Sequence, residues 1–164
     1  MKVLKEELIL NCTAQKLWSI LSDVSRCDWV PTINEITLDG ECRIFEMEGM
    51  GIVKEKILLN DDSKMMLQYS AIETRTPIDH HLATMHVTEI DENSCTLIWT
   101  TEIDPEIFGD AVYQGMLVSI EGITYQINLF CFKLSANIIA TDDAIFNDRI
   151  FFFIGIFSLS LINL

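Results

Sequence analysis

The stretch Leu97-Ile98-Trp99-Thr100-Thr101-Glu102 alternates its side chains, and Asp104-Pro105 separates it from a long apolar-periodic segment. Period-two alternation marks a half-buried strand, and a proline after a capping residue marks a helix start. Similar strand-like runs precede it at residues 3–10, 33–38, 41–47, 52–59, 65–72 and 81–90, with 95–103 the last. Turn signals lie between them: Asp39-Gly40, Gly49-Met50-Gly51, Asn60-Asp61-Asp62-Ser63 and Asp91-Glu92-Asn93-Ser94. Strands at this spacing, joined by short turns, form an antiparallel meander. The expected class is α+β, a seven-stranded curved antiparallel sheet closed over a C-terminal helix. Such a sheet encloses an apolar cavity, so the chain reads as a binding container.

Helical signals are confined to two places. Asn11 or Thr13 caps a helix whose apolar positions Leu17, Trp18, Ile20 and Leu21 follow a 3.6 period, and Ser22-Asp23 ends it. Val24 to Trp29 is expected to form a second short helix, because Pro31 discourages continuation just beyond it. After the last strand, Asp104 is expected to cap a helix with Pro105 at its first position, where a missing amide costs nothing. Phe108, Ala111, Val112, Met116 and Ile120 then make its apolar face.

Composition removes several function classes. The 164 residues suit one domain with a sizeable core. A formal net charge of -14 argues against nucleic acid as a partner, since phosphate binding needs clustered Lys and Arg. The same acidity disfavours an anionic membrane surface. Cys12, Cys27, Cys42, Cys95 and Cys131 form no CxxC pair and no zinc-like spacing, which favours reduced thiols and a cytoplasmic location. Met1-Lys2-Val3-Leu4-Lys5-Glu6-Glu7 turns acidic where a secretory signal would become apolar. No GxGxxG, P-loop, HExxH or GxSxG pattern occurs, so neither metal nor cofactor is expected.

Composition shifts after Gln126. Residues 127–164 contain no Glu and are rich in Ile, Phe, Leu and Asn, so residues 1–126 are expected to be the ligand-binding domain and 127–164 an atypical apolar tail. Ile150–Leu164 is shorter than the ~20 residues of a spanning helix and has no basic flank, so membrane contact through it is not expected. A tail anchor and an altered reading frame both stay open as its origin.

Three constellations could carry chemistry. With a hairpin centred on Gly49, Arg43 falls opposite Glu55, Phe45 opposite Val53, and Met47 opposite Gly51, all on the expected concave face. An Arg43–Glu55 pair there would orient a ligand's polar head, against the plainer reading of a cross-strand salt bridge. His81 shares its strand face with Ala83, Met85 and Val87, whereas His86 points outward with Leu82 and Thr84, so the histidines do not converge on a metal. His81 is expected at the cavity mouth, where it could bond a ligand or transfer a proton. Tyr69, Trp99, Glu102 and Tyr113 form the last group, with Trp29, after the short second helix, covering a cavity entrance or pinning that helix to the sheet. Aromatic rings with a polar handle suit an amphipathic ligand, although core packing explains them as well. Phe108, Val112 and Met116 would complete the lining from the C-terminal helix.

Ala14-Gln15-Lys16-Leu17-Trp18, Leu21-Ser22-Asp23 and Asp28-Trp29-Val30-Pro31 stand in an order that continues through Val53-Lys54-Glu55-Lys56-Ile57 and Leu67-Gln68-Tyr69-Ser70. Thr76-Pro77-Ile78-Asp79, Ala83-Thr84-Met85 and Thr96-Leu97-Ile98-Trp99 complete the series. By these stretches, residues 1–123 resemble the START-like helix-grip superfamily (SRPBCC), in its polyketide cyclase/dehydrase and lipid-transport branch. The resemblance implies a helix-grip fold and binding, transport or sensing of a hydrophobic or amphipathic small molecule. It also implies an alternative, a polyketide cyclase/dehydrase-type enzyme with His81, Glu55 or Tyr69 as acid or base. The branch shares no catalytic motif, and the last 40 or so residues depart from it, which leaves a truncated or tail-anchored relative as a third reading.

Overall fold

The computed structural model describes residues 1–139 apart from Glu48, Gly49 and Thr76, with side chains described as far as Phe130. The first strand, β1 (Lys2–Leu10), buries Leu4 and Leu10 and leaves Val3 and Ile9 exposed, as its alternation requires. Helix α1 (Ala14–Leu21) starts at Thr13, whose hydroxyl accepts the Lys16 amide at 3.1 Å, and buries Ala14, Leu17, Trp18, Ile20 and Leu21. Six strands follow: β2 (Thr37–Asp39), β3 (Cys42–Met47), β4 (Gly51–Asp61), β5 (Met66–Glu73), β6 (His80–Asp91) and β7 (Ser94–Asp104). They form one antiparallel sheet in the order β1-β7-β6-β5-β4-β3-β2. The meander is therefore sequential from β2 to β7, and β1 joins by pairing with the last strand along its whole length, Lys2↔Ile103 to Leu10↔Cys95.

A single 3₁₀ turn, Glu106–Phe108, leads into α2 (Gly109–Ile139). Among its described residues Met116, Ser119, Ile123 and Ile127 bury their side chains, one helical stripe at i, i+3, i+7 and i+11. Gly122 lies on this stripe because a side chain would not fit: a Cβ there would stand 2.2 Å from the Trp29 carbonyl oxygen. The chain after α1 is thus held against α2, and Gln126 Nε2 adds a hydrogen bond to the Asp28 carbonyl at 2.8 Å. Met1–Asn128 packs as one unit; of the remainder, Leu129–Ile139 is described, as the continuation of the helix.

Three local expectations are corrected. Val24–Trp29 is not a helix. The Asp23 carboxylate accepts both the amide and the hydroxyl of Ser25, and the backbone proceeds by separate turns, Arg26 N to Asp23 O and Val30 N to Cys27 O. Such local side-chain acceptors compete with helical bonding. The second strand begins at Thr37 rather than residue 33, because another turn, Ile33 N to Val30 O at 3.0 Å, drops Ile33 into the core. Asp104 caps no helix through its side chain, and Pro105 precedes the 3₁₀ turn across a cis bond instead of opening α2. Phe108 accordingly sits in that turn, and Ala111 is exposed. No helix among the described residues is long and apolar enough to cross a membrane. The tail expectation for Ile150–Leu164 lies outside the described residues.

Candidate functional site

The β3–β4 register is Met47↔Gly51, Phe45↔Val53 and Arg43↔Glu55, so both charged residues point with Phe45 and Val53 to the buried face. Arg43 Nε donates to Glu55 Oε2 at 2.6 Å, with the residues 5% and 8% exposed. Removing two charges from water costs several kcal/mol per ion, and their attraction offsets this only with good geometry and further partners. Tyr69 supplies one: the guanidinium lies 4.4 Å from its ring centroid, and 5.9 Å from that of Phe45. Burial opposes the Arg43 charge, but Glu55 and Tyr69 outweigh it and its pKa is raised. Burial, reinforced by the Glu55 carboxylate, pushes the Tyr69 phenol well above its usual range, against the pull of Arg43 and Trp99. The interior thus holds a charged pair under a neutral phenol.

Tyr69 is also the last residue of β5 to pair with β6, opposite Ala83. Beyond it the two strands separate, and the His81 ring spans the gap: Nδ1 accepts the Ala71 amide at 3.0 Å. That bond fixes the neutral tautomer with hydrogen on Nε2. Burial lowers the His81 pKa, consistent with an uncharged ring. The Tyr69 and His81 rings are 6.1 Å apart, and a concavity of about 290 Å³ opens beside them, lined by Ser70, Ala71, Ile72, Ile78, Asp79 and His80 as well as His81. A second concavity of about 350 Å³ lies between the Val24 turn and the β3–β4 edge, lined by Leu38, Cys42 and Ile57 among others. Both open to solvent at the sheet; neither is an enclosed chamber beneath the helix.

Deeper along the same face stand Met85, fully buried, and its cross-strand partner Trp99. Trp29 meets Trp99 edge to face, centroids 6.3 Å apart and planes at 72°. The rings are 2% and 4% exposed, and neither indole nitrogen has a hydrogen-bond partner among the described residues. Each such orphan donor costs about 1–3 kcal/mol, and native interiors keep few of them. The Trp99 indole nevertheless lies close enough to Tyr69 to favour its ionised form, without the geometry of a hydrogen bond.

The fold therefore brings together Arg43, Phe45, Glu55, Tyr69 and His81, and beside them Met85, Trp99 and Trp29. Met116 is buried on α2, whereas Phe108 and Val112 are half-buried and pack at the core's margin. Two expected companions belong elsewhere. Glu102 points away from the interior and binds His80 Nε2 at 2.9 Å, because alternation on β7 sends Trp99, Thr101 and Ile103 inward. Tyr113 donates its hydroxyl to Glu6 and is only half-buried. The opening along Ser70–Ile72 and Ile78–His80 had no sequence signal, since it exists only where two strands part.

Among solved structures, an uncharacterised protein from Bacillus thuringiensis superposes with a TM-score of 0.69 at 16% identity, over 77% of this chain and 98% of that one. Norcoclaurine synthase from Thalictrum flavum, in complex with dopamine and hydroxybenzaldehyde, gives 0.62 at 19% identity, over 77% and 86%. The Zhui aromatase/cyclase from Streptomyces sp. R1128 gives 0.66 at 12% identity, over 77% and 93%. At these identities the likeness establishes the shared fold. No curated protein matches the chain. The family described as polyketide cyclase / dehydrase and lipid transport matches residues 1–122, and the chain belongs to it.

Proposed function

We propose that residues 1–126 bind a small hydrophobic or amphipathic molecule for transport or sensing, with its polar group directed at the Arg43–Glu55–Tyr69 cluster. The observation that carries this reading is the buried ion pair itself. A pair of apolar residues of similar volume would serve stability as well or better, so a buried pair on an otherwise apolar face suits recognition. The opening beside His81 is the proposed route inward, and the unbranched side chains of Met85 and Met116 can shift to make room.

A second reading, an enzyme of the cyclase/dehydrase type, is favoured by one observation: His81 is neutral, with Nε2–H free of the bond that holds Nδ1, beside a neutral Tyr69. Both groups could then supply a proton to a ligand oxygen without a change in charge beforehand.

Native mass spectrometry of the full chain tests the first reading. The expected result is a non-covalent adduct on the order of a few hundred daltons, the size that fills a pocket of about 300–1,000 Å³. The double variant Arg43→Met/Glu55→Leu should stay folded and lose it. An adduct held equally by the double variant would remove the cluster from recognition; turnover of a poly-keto substrate would favour the enzyme.

A further inference from the structure

Trp18, Trp29 and Trp99 are the protein's three tryptophans. Trp18 donates its indole N–H to Asp62 at 2.8 Å, whereas the other two N–H groups are buried and make no hydrogen bond among the described residues, Trp99 lying near Tyr69 without the geometry of one. An edge-to-face pair can turn one N–H toward the partner ring, a weak contact, but not both. At least one strong donor is therefore left over. The same neighbourhood is already rich in donors: the Arg43 guanidinium donates to Glu55, the one buried carboxylate among the described residues, and the Tyr69 hydroxyl and the His81 Nε2–H lie nearby.

We infer that the Trp29 and Trp99 indole N–H groups form a subsite for a ligand oxygen. The ligand is accordingly an apolar molecule bearing a carbonyl or carboxylate, and not an amine. The inference rests on the ligand-binding reading above and narrows it. An acceptor oxygen satisfies the surplus donors, while an ammonium adds donors to a place that has too few acceptors. The discrimination follows from desolvation: a site built to hydrogen-bond strongly rejects an analogue that leaves its groups unpaired.

Four probes with one apolar body test it: naphthalene, 2-acetylnaphthalene, 2-naphthoate and 2-naphthylmethylamine. Titrations of the full chain should show one or both oxygen probes binding on the order of tenfold tighter than naphthalene, with the amine weaker. The acetyl and carboxylate arms separate a neutral carbonyl from an anion. The amine arm is stringent, because a net charge of -14 attracts a cation to the surface. Indole N–H resonances give a readout that needs no variant: two of the three should move on adding the oxygen probe, and the Trp18 signal should stay. Trp29→Phe should remove the oxygen probe's advantage over naphthalene; Trp99→Phe is the second variant if the first unfolds. Equal binding of all four probes, or unmoved indole signals, overturns the subsite and leaves the container, the two donors then serving water alone. Binding of none overturns both.

Discussion

The two ends of the concave face are built on opposite terms. Beneath α1, which contacts β6 and β7, the inward positions are Leu67, Val87, Cys95 and Leu97, and α1 adds Leu17, Ile20 and Leu21; all are 2% exposed or less. Its one large polar handle, the Trp18 indole, is satisfied by Asp62. Toward β3 and the parting of β5 from β6, the same face carries an ion pair, a phenol, an imidazole and the Trp99 indole, which meets Trp29; neither indole nitrogen has a partner among the described residues. The first end has what a core needs and nothing else. The second carries costs a stable core would avoid, and the ligand recognition proposed above would account for them.

Truncating each end should separate the two. Leu17→Ala removes a fully buried side chain from the first end and should cost about 2–5 kcal/mol in urea unfolding, with probe affinity per folded molecule unchanged. Affinity falling in step with stability would show that the two ends are one. Gly122→Ala should cost less, about 1–3 kcal/mol, because the new methyl meets the Trp29 carbonyl and the chain must shift. Its signature is movement of the Trp29 indole resonance with Trp18 unmoved; an unchanged Trp29 signal would contradict the close approach.

The smallest effect is pH-dependent. His81 is held below its usual pKa of 6.5 in the folded state, so on acidification the unfolded chain takes up the proton first. The stability from neutral His81 is complete above about pH 6.5 and is lost as pH falls toward the lowered folded value, by at most about 1.4 kcal/mol per pH unit. His81→Gln should flatten that slope between about pH 7.5 and 5.5, judged by urea midpoints. A slope identical in the variant would place the titration elsewhere.

The hairpin and the inward set were legible in the sequence because both are local. A short turn fixes the β3–β4 register, and period two then commits Arg43, Phe45, Val53 and Glu55 to one face. The same rule separated His81 from His86 and, applied to β7, would have set Glu102 apart from Trp99. Glu102 leaves the interior by strand alternation on β7, whereas Tyr113 leaves it because its place on α2 brings its hydroxyl to Glu6. From Val24 to Ile36 the local helical and strand propensities are overridden by Asp23, by successive turns and by the packing of Trp29 on α2.

By itself, then, the sequence determined the strands apart from the start of β2, the capped first helix and the pairing of Arg43 with Glu55. Only the tertiary structure decided that β1 closes on β7, that β5 and β6 part at Tyr69, and that Trp18 finds Asp62 while Trp29 and Trp99 find each other. The physical reason is range. Backbone periodicity and hairpin register depend on neighbours a few residues away, whereas the partner of a buried donor comes from wherever the folded chain returns.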